Sequence, residues 1–327
     1  MPIRVPNNLP ALEALNAESV DIIPQQQAAS QDIRPLRLLL LNLMPKKHDT
    51  EIQFARLFGN SPLQVEMILM TTASYTPRNT EPGYLRRFYR QLDDVRDDCF
   101  DALIVTGSPV ETLPFEDVTY WSELTEIMEW SRTHCFRRLG ICWGAQALLW
   151  HFHQVPKYEI GQKLFGIFEH GLSDVSGRLM NGFTDRFPMP ASRYTMNRSE
   201  DLAAAGLDVL AEGGSCGAGM VRDSVTGDLF VFNHLEYDAT TLGDEYQRDV
   251  AAGLKTALPE NYYPNDDPTL PPINNWRPFA FLLMANWIND LYQATPFDLT
   301  SPVSYTHLRA HETSLHLVCR LLLEKTQ

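Results

Sequence analysis

Residues 36–43 (LRLLLLNL) form an unbroken apolar run of strand length, the pattern of a parallel strand covered on both faces. Beyond MPKKHD, Thr50 and Glu51 open a predicted helix with Ile52, Phe54, Ala55 and Phe58 turned inward, and Gly59-Asn60 ends it. Residues 63–70 (LQVEMILM) predict the next strand. A helix over 84–95, a strand over 100–105, a helix over 120–133 and a strand over 138–141 continue the alternation. Strands alternating with helices predict a doubly wound, mostly parallel α/β sheet.

Between 158 and 227 the chain turns polar and Gly-rich, with only short strand-like pieces. A strand over 229–232 and helices over 242–254 and 279–292 follow, and the Pro-rich stretch 258–278 reads as an extended surface crossing. No repeat and no Ser/Gly linker divides the pattern, so residues 1–302 read as one domain with insertions.

Composition narrows the class. A chain of 327 residues with 44% hydrophobic and 21% charged positions buries a full core. A net charge of −14, with both signs interspersed, opposes binding to nucleic acid or to a membrane surface. The N-terminus lacks the apolar run of a signal peptide, and no segment approaches the roughly 20 apolar residues of a membrane span, so a cytoplasmic location is expected. Five cysteines (99, 135, 142, 216 and 319) show no CxxC spacing, and their odd number argues against a disulfide framework or zinc site.

Residues 303–327 stand apart. They hold His307, His311, His316 and Cys319, a composition that invites a metal site, yet the stretch resembles a translated sequencing-adaptor read. We read it as a non-native tail and give these four residues no functional role.

The richest chemistry lies in residues 138–150, RLGICWGAQALLW, where an apolar strand meets Cys142 and a helix-period segment starts at once. Gly140 and Gly144 flank the cysteine at two residues on either side, which permits the sharp strand-to-helix turn of a nucleophile elbow. A thiol at a helix N-terminus has its thiolate favoured by the helix dipole, and the free N–H groups there can hold an oxyanion. The competing reading of Cys142 is a buried core cysteine, the commoner fate of free thiols.

A second motif weighs against that reading. Residues 229–236, LFVFNHLE, form a strand ending in His234-x-Glu236 at the carboxyl end, where parallel sheets build their sites. In an extended segment residues i and i+2 share a side, so Glu236 can orient His234, completing a Cys142, His234, Glu236 triad. The remaining histidines at 48, 134, 151, 153 and 170 read as structural or solvent-exposed.

Gly140-Ile-Cys142-Trp-Gly144 with His234-Leu-Glu236 resembles the class I glutamine amidotransferase-like (flavodoxin-like) fold. MPIRVPNNLPALEAL, IRPLRLLLLNLMPKK, NSPLQVEMILM, FDALIVTGSPVE and ANWINDLYQATPFDL resemble, in the same order, the homoserine O-acyltransferase family of methionine biosynthesis, also called homoserine transsuccinylase. The resemblance spans residues 1–302. It implies acyl transfer from acyl-CoA to the homoserine hydroxyl by a ping-pong route through a Cys142 thioester, with His234 as base and Glu236 as its orienter.

Further roles come from the same resemblance. Arg248 corresponds to the arginine that grips the homoserine carboxylate, and Lys163 and Ser192 occupy substrate-pocket positions. Lys46 and Lys47 either line the pocket or form a solvated basic pair. A homodimer is implied, and no metal or redox cofactor; the acyl-CoA is a co-substrate.

Glu111 occupies a position that the family varies between glycine and glutamate. A glycine leaves room for the second carboxylate of a succinyl group, whereas a glutamate fills that space with like charge, so acetyl-CoA is the expected donor and O-acetyl-L-homoserine the expected product. A Glu111 turned to solvent would leave the donor open. Homoserine O-succinyltransferase activity is the alternative within the family. Glutamine hydrolysis of the amidotransferase type, or a non-catalytic relative with a reactive thiol, are the alternatives outside it.

Overall fold

The computed structural model describes residues 34–75, 80–173 and 177–296, with short pieces between 3 and 24. The tail from 303 onward, with His307, His311, His316 and Cys319, lies outside the described residues.

In chain order the strands are β1 (Ile3–Val5), β2 (Ile22–Pro24), β3 (Leu36–Leu41), β4 (Val65–Met70), β5 (Tyr89–Arg90) and β6 (Phe100–Val105). Then come β7 (Cys135–Ile141), β8 (Tyr158–Leu172), β9 (Arg186–Met196), β10 (Asp208–Gly213), β11 (Gly217–Arg222) and β12 (Leu229–Val231). The helices are α1 (Lys47–Gly59), α2 (Pro82–Phe88), α3 (Leu92–Val95), α4 (Trp121–His134), α5 (Trp143–His153), α6 (Ser199–Ala204), α7 (Thr241–Ala251) and α8 (Arg277–Ala294). Among the described residues the strands form one sheet in the order β2-β1-β4-β3-β6-β7-β12-β11-β10-β8-β9, with β5 beside β4.

From β2 to β12 every pairing is parallel; from β12 to β9 every pairing is antiparallel. β3 shows why the parallel part is apolar throughout. Leu36, Leu38 and Leu40 share a core with Phe54 and Phe58 of α1 and with Trp287 of α8. Leu39 and Leu41 face the other core, with Ile127 and Met128 of α4 and Leu148 of α5. Each fully buried leucine contributes about 1.5–3 kcal/mol, and helices on both faces make the sheet doubly wound. No helix among the described residues is long and apolar enough to cross a membrane.

Several local expectations need correction. α1 begins at Lys47, three residues before Thr50, whose hydroxyl bonds back to Lys46 O at 3.3 Å and so sits inside the helix. The expected helix over 84–95 is two short helices split by β5, because Tyr89 turns its hydroxyl into the interior to donate to Glu51 at 2.6 Å. A reciprocal Gln91–Asp94 capping box then starts α3.

The Gly-rich middle is more regular than its pattern suggests. β8 runs for 15 residues against β9, with a register shift between Glu159 and Leu164 that breaks the apolar alternation. The Pro-rich stretch is more than a surface crossing. Its Glu260 exchanges backbone hydrogen bonds with Phe165 and Ile167 across Gly166, where a Cβ would meet Glu260 O at 2.3 Å. Tyr262 and Trp276 of the same stretch are fully buried, Trp276 donating to Tyr237 O at 3.1 Å.

Candidate active site

β7 delivers Cys142 to the carboxyl end of the parallel sheet, and α5 starts at the next residue. Cys142 holds φ 51° and ψ −117°, a conformation that costs a non-glycine residue about 1–3 kcal/mol. Its neighbours make the turn possible. A Cβ on Gly140 would meet Ala145 Cα at 2.5 Å, and one on Gly144 would meet Val105 O at 2.3 Å, so only glycine lets α5 lie this close to β7 and β6. Cys142 N–H donates to Val231 O at 2.7 Å, pinning the elbow to β12. The first N–H groups of α5, which follow Cys142 directly, have no intrahelical partner.

His234 lies just beyond β12. Its N–H donates to Pro190 O of β9 at 2.8 Å, and its Nδ1 lies 2.6 Å from Glu236 Oε1. The alignment does not come from strand alternation, as expected. β12 ends at Val231, and Tyr237 N–H bonds back to His234 O at 3.3 Å, so a turn brings the imidazole and carboxylate together. Tyr237 stacks on the imidazole with centroids 4.1 Å apart and planes 13° from parallel. All three side chains are buried, with 6%, 3% and 8% exposure for Cys142, His234 and Glu236.

Cys142 and His234 stand side by side over Gly107. Burial disfavours the imidazolium, but negative charge at Cys142 and Glu236, with the hydrogen bond to Glu236, outweighs it and holds His234 well above the ordinary histidine range. Gly107, in the loop after β6, walls this pair: a Cβ there would stand 3.4 Å from Cys142 Cβ and 3.5 Å from His234 Cε1. The sequence signal for Gly107 was its place at the carboxyl end of a central strand.

Lys163, Ser192 and Arg248 meet around Glu245, a residue the sequence reading missed. Lys163 Nζ lies 2.7 Å and Ser192 Oγ 2.8 Å from Glu245 Oε1, and Arg248 Nη2 lies 3.6 Å from the same atom. Arg248 also makes a two-pronged contact with Asp249 Oδ1 at 3.0 and 2.7 Å, although its side chain is 62% exposed at the rim. Burial works against the Asp249 carboxylate, yet Arg248 and Lys163 hold it below the usual range. Glu245 lies three residues before Arg248 on α7, a helical spacing that could have flagged it.

Glu111 is half-buried, and its carboxylate is tied to the protein. Its Oε1 accepts the Tyr194 N–H of β9 at 3.1 Å. Burial raises its pKa, and the charges of His234 and Lys163 counter while Glu245 adds to the rise, so the Glu111 carboxylate shares one electrostatic site with both clusters. Lys46 and Lys47 part company. Lys46 is exposed and 3.8 Å from Asp49, whereas Lys47 is buried, donates to Asn42 O, and is brought down to about 8 by burial against the pull of Glu51.

The sheet and the buried Cys–His–Glu group define a class I glutamine amidotransferase-like α/β protein. A solved glutamine amidotransferase from Thermotoga maritima superposes with a TM-score of 0.54 over 80% of this chain and 100% of that one. Their identity is 11%, so the likeness speaks for the fold. The family model described as homoserine O-succinyltransferase matches residues 2–297, and the chain belongs to that family. Homoserine O-acetyltransferases of Allorhizobium ampelinum and a Chelativorans species are 48% and 47% identical over 300 residues, 91% of this chain and 97% and 96% of theirs. The family and these relatives carry different acyl groups in their names, so the names do not choose the donor.

Proposed function

We propose that the protein transfers an acetyl group from acetyl-CoA to the hydroxyl of L-homoserine, as a step of methionine biosynthesis, through a thioester on Cys142. The observation that carries this reading is the strained elbow holding Cys142 against His234, itself braced by Glu236.

The sulfur of Cys142 attacks the acetyl carbonyl carbon, the bond from that carbon to the CoA sulfur breaks, and CoA leaves with the proton that His234 carries. One thioester replaces another at little energetic cost. The homoserine hydroxyl then gives its proton to His234 as its oxygen attacks the Cys142 thioester, and cleavage of the carbon–sulfur bond frees O-acetyl-L-homoserine and the cysteine. The N–H groups opening α5 hold the oxyanion in both halves. Glu236 keeps the Nδ1 proton in place so that the opposite ring nitrogen serves the sulfur and the hydroxyl.

The Lys163, Ser192, Glu245 and Arg248 group suits a zwitterionic amino acid. The substrate carboxylate would meet Lys163 and Arg248, and its ammonium would meet Glu245. Glu111 supports acetyl over succinyl, because a second carboxylate beside it would set two poorly solvated negative charges face to face.

Incubation with acetyl-CoA, without homoserine, tests the carrier: intact-mass spectrometry should find one acetyl group on Cys142, discharged on adding homoserine. Turnover by Cys142→Ala would end the thioester route. Release of ammonia from glutamine, with no acyl transfer, would instead support the hydrolase reading that the fold alone allows.

A further inference from the structure

Lys157 lies on the segment joining α5 to β8, outside the groups assigned above, yet it is tied to the loop that carries Glu111. Its ammonium donates to Leu113 O at 2.6 Å and to Glu111 O. It also stands 4.8 Å above the ring of Phe115. Burial holds this ammonium below the ordinary lysine range, against the pull of Glu111, Glu159 and Glu116. One cation thus clasps three points of a single loop from the element that follows the nucleophile's own helix.

The far side of the loop is fixed as well. Phe115 stacks on Trp150 of α5 with centroids 5.9 Å apart and planes 13° from parallel, and Trp150 Nε1 donates to Glu116 Oε1 at 3.1 Å. The Glu111 backbone is therefore held by Lys157 while its carboxylate is held by Tyr194 N–H at 3.1 Å. Lys157 and Glu111 both line an open cleft of about 270 Å³, shared with Thr195 and Pro156, while the Glu111 carboxylate is close enough to His234 and Lys163 for their charges to act on it.

We propose that Lys157 is a positioning residue for donor choice: its clasp on the Glu111 and Leu113 carbonyls keeps the Glu111 carboxylate in the acyl pocket, and the preference for acetyl-CoA depends on that clasp. The inference rests on the donor reading given above. It differs in sign from a purely electrostatic role for Lys157. Removing a cation beside the pocket makes it more negative, which would exclude a succinyl carboxylate more strongly and raise the acetyl preference. Removing a clasp frees Glu111 to swing aside, which lowers it.

The test is a competition: equal acetyl-CoA and succinyl-CoA with homoserine, read as the ratio of O-acetyl to O-succinyl product. That ratio does not depend on the fraction of enzyme that is folded. It should fall by about tenfold in Lys157→Met. In Lys157→Arg, which keeps charge and donors, it should stay within about threefold of the unmodified protein. Glu111→Gly reports whether Glu111 sets the ratio at all. A ratio unchanged or raised in Lys157→Met, with a fall in Glu111→Gly, overturns the clasp and leaves the donor reading standing. No acetyl preference in the unmodified protein overturns both.

Discussion

The Nδ1 of His234 lies 2.6 Å from Oε1 of Glu236, in a turn where both side chains are buried and Tyr237 covers the imidazole face. A neutral amide at position 236 can still meet the ring, but it no longer stabilises the imidazolium and can present its own N–H to Nδ1. Glu236→Gln should therefore keep the fold and lower kcat by about 10²–10⁴-fold. Steady-state rates beside the thermal midpoint of the variant check this; full activity in a folded variant removes Glu236 from the mechanism.

The same pair makes stability depend on pH. His234 is held well above 6.5, so the folded state keeps a proton that the unfolded chain has released at that point. Its contribution is complete below the unfolded value and is lost as pH rises through the raised folded value. The Tm difference between the unmodified protein and Glu236→Gln should be largest below the unfolded histidine value of 6.5 and shrink as the pH rises into the alkaline range. A difference that widens with alkalinity contradicts the raised imidazole.

Glu245 gathers Lys163 and Ser192 on one carboxylate oxygen, yet neither Cys142 nor His234 bonds to it. Its loss should be felt by the amino acid and not by the donor. Glu245→Ala is expected to raise the KM for homoserine by about 10–100-fold, the worth of a charge-assisted contact, while acylation of Cys142 by acetyl-CoA proceeds nearly unchanged. Single-turnover acylation measured beside the homoserine KM separates the two; equal damage to both half-reactions argues against a homoserine pocket there.

Backbone geometry supplies a stability test. An added methyl at Gly144 points at Val105 O from 2.3 Å and at Thr106 O from 2.5 Å, contacts that only backbone movement can relieve. Gly144→Ala should cost about 3 kcal/mol and disturb the elbow, whereas Gly83→Ala in α2, with no atom nearer than 3.5 Å, should stay within about 0.5 kcal/mol of neutral. Urea midpoints of the two variants check the contrast. Equal stability for both would show that α5 does not need its close approach to β6.

The apolar runs over 36–43 and 100–105 and the elbow around Cys142 are legible because two-sided burial and a forced turn each leave a local signature in sequence. β8 and β9 were harder to see. They are neighbours in the chain, but the register shift and glycines of β8 break the period-2 pattern. The contact of His234 with Glu236 was foreseen for the wrong reason, since a turn and not an extended strand aligns them. Glu245 was missed because an acidic residue on an amphipathic helix looks solvated until its partners on β8 and β9 are placed beside it. Lys47 and Lys46, adjacent in sequence, gave no sign of which would be buried.

Glu111 turns toward Tyr194 of β9, and its charge is felt by His234 and Lys163 as well as by Glu245. A succinyl group would bring a carboxylate into that neighbourhood; an acetyl group brings a methyl. Burial already raises the pKa of Glu111, so a second negative charge nearby would face a carboxylate that is itself only partly solvated. Removing the side chain should open both the space and the field: Glu111→Gly is expected to raise kcat/KM for succinyl-CoA by about 10–100-fold and to lower it for acetyl-CoA, whose small acyl group loses a wall. Steady-state kinetics with homoserine and each donor measure both values. Equal kcat/KM for the two donors in the unmodified protein would mean that the Glu111 carboxylate does not select the acyl group.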